Sequence, residues 1–521
     1  MTEMPPLLEV RGARCRLGQR AVFIADEFTV QRGEHWCLFG PNGAGKTVFA
    51  NLLAGMRKDS LQYVQYAPDF DPVRQTFLVS FEEQQRLWQH DNRMDISEYS
   101  SDAADPGTTV AALVSFARAR EDQDKEFSAA LLTALGLHEL RHRGIRFLSS
   151  GQVRKALLAR ALYGVTAAAG GLLIMDEPLE SIDHLSRSDI DGVIRSVLGS
   201  QFATLYLCRR RTDIPDWASH LALLSELGLR LHGPRKQVQE AAEFSALISR
   251  QPLLPSRLPP ASRVTPESGS PDDTGRINTS HDDTTVAEKN PLLQLRDVRA
   301  SYADKPVLVD LNWTLRAGEH VLIEGPNGCG KSTLLSLIDG ENHQGYGQDV
   351  TLFGKPKGSG ESVWEIKRFF GVVSNELHNK YVKGWRVLDV VVSGFYDSVG
   401  LYDDSGGKEK EAARDWLAVV TLAGQEKSYY HELSFGQQRL VLLARAMVKQ
   451  PRILVLDEPC VGLDDYHRAL ILKLLDAIAG QTSTQLIYVS HVVGEQPACI
   501  NRRYHFVPVA GGGHTLVERN A

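Results

Sequence analysis

The chain has 521 residues, 43% of them hydrophobic and 23% charged, with a net charge of −6 at pH 7. That length calls for at least two domains with large cores, and that composition is the ordinary balance of a globular protein rather than a disordered or fibrous one. A mildly acidic charge excludes a global attraction for nucleic acid, and no specific nucleic-acid partner is indicated. The opening Met1-Thr2-Glu3-Met4-Pro5-Pro6 has none of the basic start and apolar run of a secretory leader, and no apolar run is long enough to cross a bilayer. Cysteines at 15, 37, 208, 329, 460 and 499 have no metal-ligand spacing, which fits reduced thiols in a cytoplasmic compartment and no iron–sulfur cluster.

In chain order, strand-like Leu8-Glu9-Val10 and Phe28-Thr29-Val30 lead to the loop Gly40-Pro41-Asn42-Gly43-Ala44-Gly45-Lys46-Thr47. A second copy, Gly325-Pro326-Asn327-Gly328-Cys329-Gly330-Lys331-Ser332, lies 285 positions on (325 minus 40). Each reads as a phosphate-binding loop. Its glycines let successive N–H groups curl round a polyphosphate, its lysine reaches the outer phosphates, and its last hydroxyl can ligate Mg²⁺. In the second copy, His320-Val321-Leu322-Ile323-Glu324 supplies the strand before the loop and Thr333-Leu334-Leu335-Ser336-Leu337 opens the helix after it. The same 285-residue offset lays Leu293–Leu308 on Leu8–Phe23, with Arg296 over Arg11. The chain is therefore an internal repeat.

Three segments follow: a first domain over 1–250, a linker over 251–290 and a second domain over 291–521. The linker is rich in Pro, Ser, Thr, Asp and Gly without apolar periodicity. A flexible coil of that length spans about 35 Å, enough for the two domains to meet at high effective concentration.

Later in each domain come Leu148-Ser149-Ser150-Gly151-Gln152 and Leu433-Ser434-Phe435-Gly436-Gln437, again 285 apart (434 minus 149) and each followed by a helical pattern. The serine reads as a helix N-cap, and the capped start offers N–H groups and a positive dipole end to an anion. Next are two apolar runs ending in acids, Leu172–Glu177 and Ile453–Glu458. Continuous apolar runs suit central parallel strands, and acids at their carboxyl ends lie where α/β sheets bind ligands. Asp176 and Asp457 are placed to hold Mg²⁺ with Thr47 and Ser332, while Glu177 and Glu458 are placed to polarise an attacking water.

Phosphate loop, capped Ser-x-Gly-Gln and Asp-Glu strand, in this order and twice, resemble a tandem ATP-binding cassette (ABC) ATPase. The resemblance implies an α/β fold: two P-loop NTPase nucleotide-binding domains, each a mixed sheet with a RecA-like core, an antiparallel β subdomain and a helical subdomain. It implies ATP and Mg²⁺ as cofactors and two cassettes pairing head to tail within one chain. One composite site would join Gly325–Ser332 with Ser149, Ser150, Gly151 and Gln152; the other would join Gly40–Thr47 with Ser434, Phe435, Gly436 and Gln437. Ser181-Ile182-Asp183 and Gly462-Leu463-Asp464 match the family's D-loops.

By the same resemblance, Tyr302 would stack on adenine, where the first half has Leu17, and His491 would contact the γ-phosphate, where the first half has Arg209. These differences lead to an expectation of asymmetry, with Glu458 the principal base and the site at Gly40–Thr47 slow, although Glu177 is present. The family's glutamine between the two main motifs is replaced by Asn375 in the second half and Phe81 in the first, with Gln84 slightly later. Cys329 could be a reactive thiol beside a lysine; the simpler reading is that the loop needs a small residue there.

Several second-half stretches, among them Leu352-Phe353-Gly354, Gly358–Trp364 and Ser393–Ser398, resemble the tandem-cassette molybdenum-transport ATP-binding proteins of the Mod family, also described as photorepair proteins. That resemblance implies the ATPase part of an import system, docked on integral membrane permease subunits at the cytoplasmic face of the inner membrane. A soluble ABC ATPase acting on a macromolecular assembly in translation or DNA repair is the alternative. Read locally, Gly358–Trp364 is a hairpin with exposed turns, with Trp364 helping to start a helix.

Overall fold

A computed structural model describes the chain apart from residues 1–4, 18–20, 59, 94–106, 116–122, 168–170, 181, 183, 261–290, 303–304, 327, 382–383, 402–404, 491, 493 and 520–521. The chain divides into two compact units, one of Met1–Arg250 with Gly462–Tyr466 and the other of Gln251–Val461 with His467–Ala521.

The first unit is built on a nine-stranded sheet. Its strands are β1 (Leu8–Leu17), β2 (Ala21–Val30), β3 (His35–Phe39), β4 (Val64–Tyr66), β5 (Thr76–Val79), β6 (Leu172–Asp176), β7 (Ala203–Cys208), β8 (His220–Ser225) and β9 (Gly228–Pro234), in the order β4-β1-β2-β9-β8-β3-β7-β6-β5. The sheet is mixed: β1 and β2 pair antiparallel, whereas β3 lies parallel between β7 and β8 and β6 lies parallel between β5 and β7. The two halves of the sheet have different side-chain patterns for that reason. β1 buries Leu8 and Val10 and then, past the left-handed Gly12, Ala13 and Cys15, in one cluster with helix Lys46–Leu53, while β6 and β7 are buried along almost their whole length. Both faces of β6 are covered, one by a cluster containing Leu172 and Ile174 and the other by a cluster containing Leu173 and Met175. Helices Phe81–Arg93, Val110–Ser115 and Gln123–Ala134 form the helical part.

The second unit repeats the plan with ten strands: β10 (Leu293–Tyr302), β11 (Lys305–Leu315), β12 (Val321–Glu324), β13 (Asp349–Leu352), β14 (Lys355–Pro356), β15 (Phe370–Val373), β16 (Ile453–Asp457), β17 (Gln485–Ser490), β18 (Arg502–Pro508) and β19 (His514–Glu518). Their order is β14-β13-β10-β11-β19-β18-β12-β17-β16-β15. The strands before the two phosphate loops, β3 and β12, hold equivalent central places in the two sheets.

Two details differ from the sequence reading. The hairpin is not at Gly358–Trp364 but one turn earlier, joining β13 to β14 through Phe353 (φ 50°) and Gly354 (φ 81°), the two left-handed residues a tight two-residue turn requires. After it, Ser362 caps helix Val363–Lys367 with a reciprocal bond to Glu365, and Trp364 is its second residue. Of the expected linker, residues 251–260 lie against the second unit: Lys473 Nζ reaches Gln251 Oε1 at 3.1 Å, Leu258 N donates to Gln481 Oε1 at 3.0 Å and Gln450 Nε2 donates to Pro259 O at 3.1 Å. Prolines there have no N–H to satisfy, and the stretch is held through the side chains of Gln450, Lys473 and Gln481. The remainder, 261–290, lies outside the described residues.

Candidate nucleotide sites

Each phosphate loop runs from the end of its strand into a helix, Lys46–Leu53 or Lys331–Asp339, whose first residue is the lysine. The residue before it, Gly45 (φ 93°) or Gly330 (φ 106°), is left-handed, and a Cβ there would come within 2.6 Å of Phe23 or Leu308. The first glycine is required for space: a Cβ on Gly40 would sit 2.2 Å from Leu224 O, and one on Gly325 would sit 2.7 Å from Cys329 Sγ. The lysines fold over their loops identically. Lys46 Nζ donates to Gly40 O at 2.7 Å and Pro41 O at 3.1 Å, and Lys331 Nζ to Gly325 O at 2.8 Å and Pro326 O at 3.0 Å. The loop's own carbonyls thus hold a nearly buried ammonium in its concavity. Asn327 lies outside the described residues.

The hydroxyls and acids meet as the spacing predicts. Thr47 Oγ1 donates to Asp176 Oδ2 at 2.7 Å, and Ser332 Oγ faces Asp457 Oδ2 at 3.5 Å. Burial raises the pKa of Asp176, opposed by Thr47 and Lys46; burial and then the neighbouring Glu458 push Asp457 up to about 6. These are carboxylates with too little positive charge around them, the environment a hard divalent cation corrects. The donor set therefore fits Mg²⁺.

Beside each aspartate stands a glutamate on strained backbone. Glu177 and Glu458 both have φ 50°, in the left-handed region that glutamate rarely adopts. The neighbouring strand fixes this turn, with Glu177 N donating to Leu207 O at 3.2 Å and Glu458 N to Val489 O at 3.0 Å. Burial pushes Glu177 up to about 7, opposed first by Arg209 and then by Lys46. In the second unit Glu458, Asp457, Ser332, Lys331, Gly328, Asn375 and Glu376 line one open cleft of about 540 Å³, within the size range of small-molecule sites.

The Ser-x-Gly-Gln segments are capped helix starts. Ser149 Oγ accepts from Gln152 N while Gln152 Oε1 accepts from Ser149 N, and Ser434 and Gln437 do the same. Both glutamine side chains are thereby turned onto their own caps. Ser150 and Phe435 begin the helices, and Gly151 and Gly436 follow them. A Cβ on Gly436 would meet the His467 ring at 2.4 Å. Tyr302, half exposed at the end of β10, accepts from Asn342 Nδ2 at 3.1 Å through its hydroxyl, and Leu17 ends β1. Cys329 is fully buried and burial raises its thiol pKa, so the structure favours its packing role over thiolate reactivity. His491, Ser181 and Asp183 lie outside the described residues.

Two features were not foreseen. Asn375 Oδ1 is taken by Arg439, a fully buried arginine of helix Phe435–Met447 that also donates to Ser374 O at 3.0 Å; Arg154 occupies the matching place in the first unit, 285 residues earlier (439 minus 154). Gln84, buried one turn into its helix, donates to Ser150 Oγ at 3.1 Å. In both units, then, the segment after β5 or β15 is hydrogen-bonded to the region of its own Ser-x-Gly-Gln helix.

Comparison with known proteins gives a match to the ABC transporter family over residues 24–180 and 308–461. The ABC transporter ATP-binding protein ModF of Escherichia coli is 33% identical over 509 residues, covering 97% of each chain. An uncharacterized ABC transporter ATP-binding protein of Schizosaccharomyces pombe is 26% identical over 491 residues, covering 92% of this chain and 93% of its own. Among solved structures, a complex of archaeal ribosome recycling factor aABCE1 with a ribosomal stalk protein aligns over 96% of this chain and 89% of that one, with TM-score 0.54 at 16% identity, a likeness of fold. No helix among the described residues is long and apolar enough to cross a membrane.

Proposed function

The chain belongs to the ABC transporter family as a tandem ATP-binding cassette ATPase, and from that membership we propose that each unit binds Mg²⁺-ATP at its phosphate loop, that the second unit carries most of the hydrolysis, and that the work is delivered to separate membrane-spanning chains. The observation that supports two competent sites is the repeated left-handed glutamate beside a hydroxyl–aspartate pair. Backbone strain of this kind, about 1–3 kcal/mol at each residue, persists where the surrounding fold fixes a functional geometry.

In this reading Lys46 and Lys331 balance phosphate charge, and the N–H groups after Gly43 and Gly328 receive phosphate oxygens. Thr47 and Ser332 hold Mg²⁺, with Asp176 and Asp457 behind them. Mg²⁺ held there would supply positive charge to offset the charge on the transferred group. Glu458 orients and polarises the attacking water, with His491 at the γ-phosphate and Tyr302 against adenine. Glu177 is the corresponding acid of the slower site.

The load is assigned by resemblance: the Mod-like stretches support an import system with molybdate as cargo, its permease supplied by other chains and the ATPase peripheral on the cytoplasmic face. The test is affinity purification of Glu458→Gln, which holds the ATP-bound state, from solubilised membranes and from cytosol. Recovery of integral membrane subunits supports the transport reading. Recovery of ribosomes or DNA-repair factors, or of nothing from well-solubilised membranes, moves the assignment to a soluble ATPase.

A further inference from the structure

The ladder between the Asp-Glu strand and its neighbour aligns the two units residue by residue. Asp176 pairs with Leu207 and Asp457 with Val489, so the position two residues beyond is Arg209 in the first unit and His491 in the second. Arg209 stays inside the first unit's own site. Its Nη2 donates to Glu180 Oε1 at 2.7 Å and its Nε lies 3.7 Å from Glu177 Oε2, with the three side chains only 13%, 21% and 14% exposed.

Glu180 is as particular to this unit as the arginine. Asp176-Glu177-Pro178-Leu179-Glu180 aligns with Asp457-Glu458-Pro459-Cys460-Val461, so the second unit has a valine where the first has the arginine's anchor. Both members of the Arg209–Glu180 pair are therefore exchanged together between the units. A guanidinium held by one carboxylate at hydrogen-bond distance is fixed in direction, and here that anchor keeps Nε within ion-pair distance of the other carboxylate.

We propose that Arg209, anchored by Glu180, is a positioning residue that engages the Glu177 carboxylate and withholds it from the attacking water, and that this ion-pair triad is what makes the first unit's site slow. The inference rests on the ATPase reading and on the asymmetry between the sites. With the guanidinium at ion-pair distance, the Glu177 carboxylate cannot swing toward a phosphate without parting two opposite charges. The left-handed backbone at Glu177 is unchanged, so the site keeps the framework for chemistry while its acid is occupied.

The experiment uses the full chain with Glu458→Gln, which removes the second unit's principal base, and follows ATP turnover, KM and nucleotide binding. Into that background go the pair exchange Arg209→His with Glu180→Val, the charge-keeping Arg209→Lys, and the pair exchange with Glu177→Gln added. The expected result is a tenfold or greater rise in kcat on the pair exchange, with KM changed less than threefold, a smaller rise for Arg209→Lys, and loss of the gain when Glu177→Gln is added. An unchanged or lower kcat in a pair-exchange protein that still binds ATP overturns the triad while leaving the asymmetry standing. A rise in KM of tenfold or more without a rise in kcat also overturns it, because Arg209 would then be a nucleotide ligand. High turnover in Glu458→Gln alone, abolished by Glu177→Gln, overturns the asymmetry and the triad with it.

Discussion

Asp339, the last residue of the helix that follows the second phosphate loop, provides a quantitative test of the electrostatics of that unit. It is 9% exposed, its Oδ1 accepts from Glu341 N at 3.0 Å, and burial pushes it up to about 6 from 3.8. A folded pKa above the unfolded one means that the native state binds more protons between these values, so stability from this group is present below about pH 4 and is lost as pH rises through 6. At 1.36 kcal/mol for each pKa unit, the charged form costs about 3 kcal/mol at pH 7, with the opposing pull of Lys367 and Lys357 already included. Asp339→Asn keeps the acceptor for Glu341 N and removes the charge. It is expected to raise the melting temperature of the second unit at pH 7.5 by several degrees, since about 1 kcal/mol corresponds to 2–4 °C in a domain of this size. The gain should shrink toward nothing at pH 4. Scanning fluorimetry of both proteins across pH 4–8 decides it. A variant less stable than the parent at pH 7.5 would show that the carboxylate is held charged by its lysines and would refute the sign.

Lys331→Ala is expected to lose most steady-state ATP turnover, whereas Lys46→Ala should weaken nucleotide binding more than turnover; equal kinetic losses would contradict the asymmetry between sites. Gly330→Ala places a Cβ 2.6 Å from Leu308 at φ 106°, so left-handed strain and overpacking together should cost about 2–5 kcal/mol in denaturant unfolding. Replacing Arg439 by Leu frees Asn375 and Ser374 O from a fully buried partner. It should change kcat for ATP by more than tenfold while leaving nucleotide affinity within threefold, checked by turnover and by equilibrium binding.

The parts of both sites that were legible in the sequence are those built from contiguous residues. Gly40–Thr47, Ser149–Gln152 and Leu172–Glu177 each form one turn or strand end, so spacing along the chain fixes their geometry, and the 285-residue offset repeats them. The apolar runs of β6 and β16 likewise announced central strands. Arg209 was legible as a difference but not as a contact, because its meeting with Glu177 and Glu180 depends on the pairing of β6 with β7. Arg154 and Arg439 were overlooked because a charged residue on a helix next to polar ones reads as solvent-facing, yet both are buried where helix and sheet close. Gln84 shows the limit of counting positions. Four residues past Ser80 is one helical turn, which brings its side chain to Ser150 rather than to the place a strict alignment assigns.

The two left-handed glutamates connect stability to chemistry in a way that single variants can separate. At an ordinary position Ala is favoured over Gly by about 0.5–1 kcal/mol, because glycine has more freedom to lose on folding. At φ 50° an L side chain instead meets a penalty of about 1–2 kcal/mol, so the order should reverse. Glu458→Gly is therefore expected to be more stable than Glu458→Ala by about 1 kcal/mol, with both lacking the base and both losing turnover. The same reversal is expected at Glu177, although that unit is assigned the slower site. Denaturant unfolding of the four variants measures it, and alanine variants as stable as the glycine ones would show that the backbone is not held left-handed. If the reversal appears in both units, the site assigned as slower has the same strained framework as the other, and a lower rate there is traced to what surrounds the carboxylate. Arg209 and Glu180 are the residues that differ there.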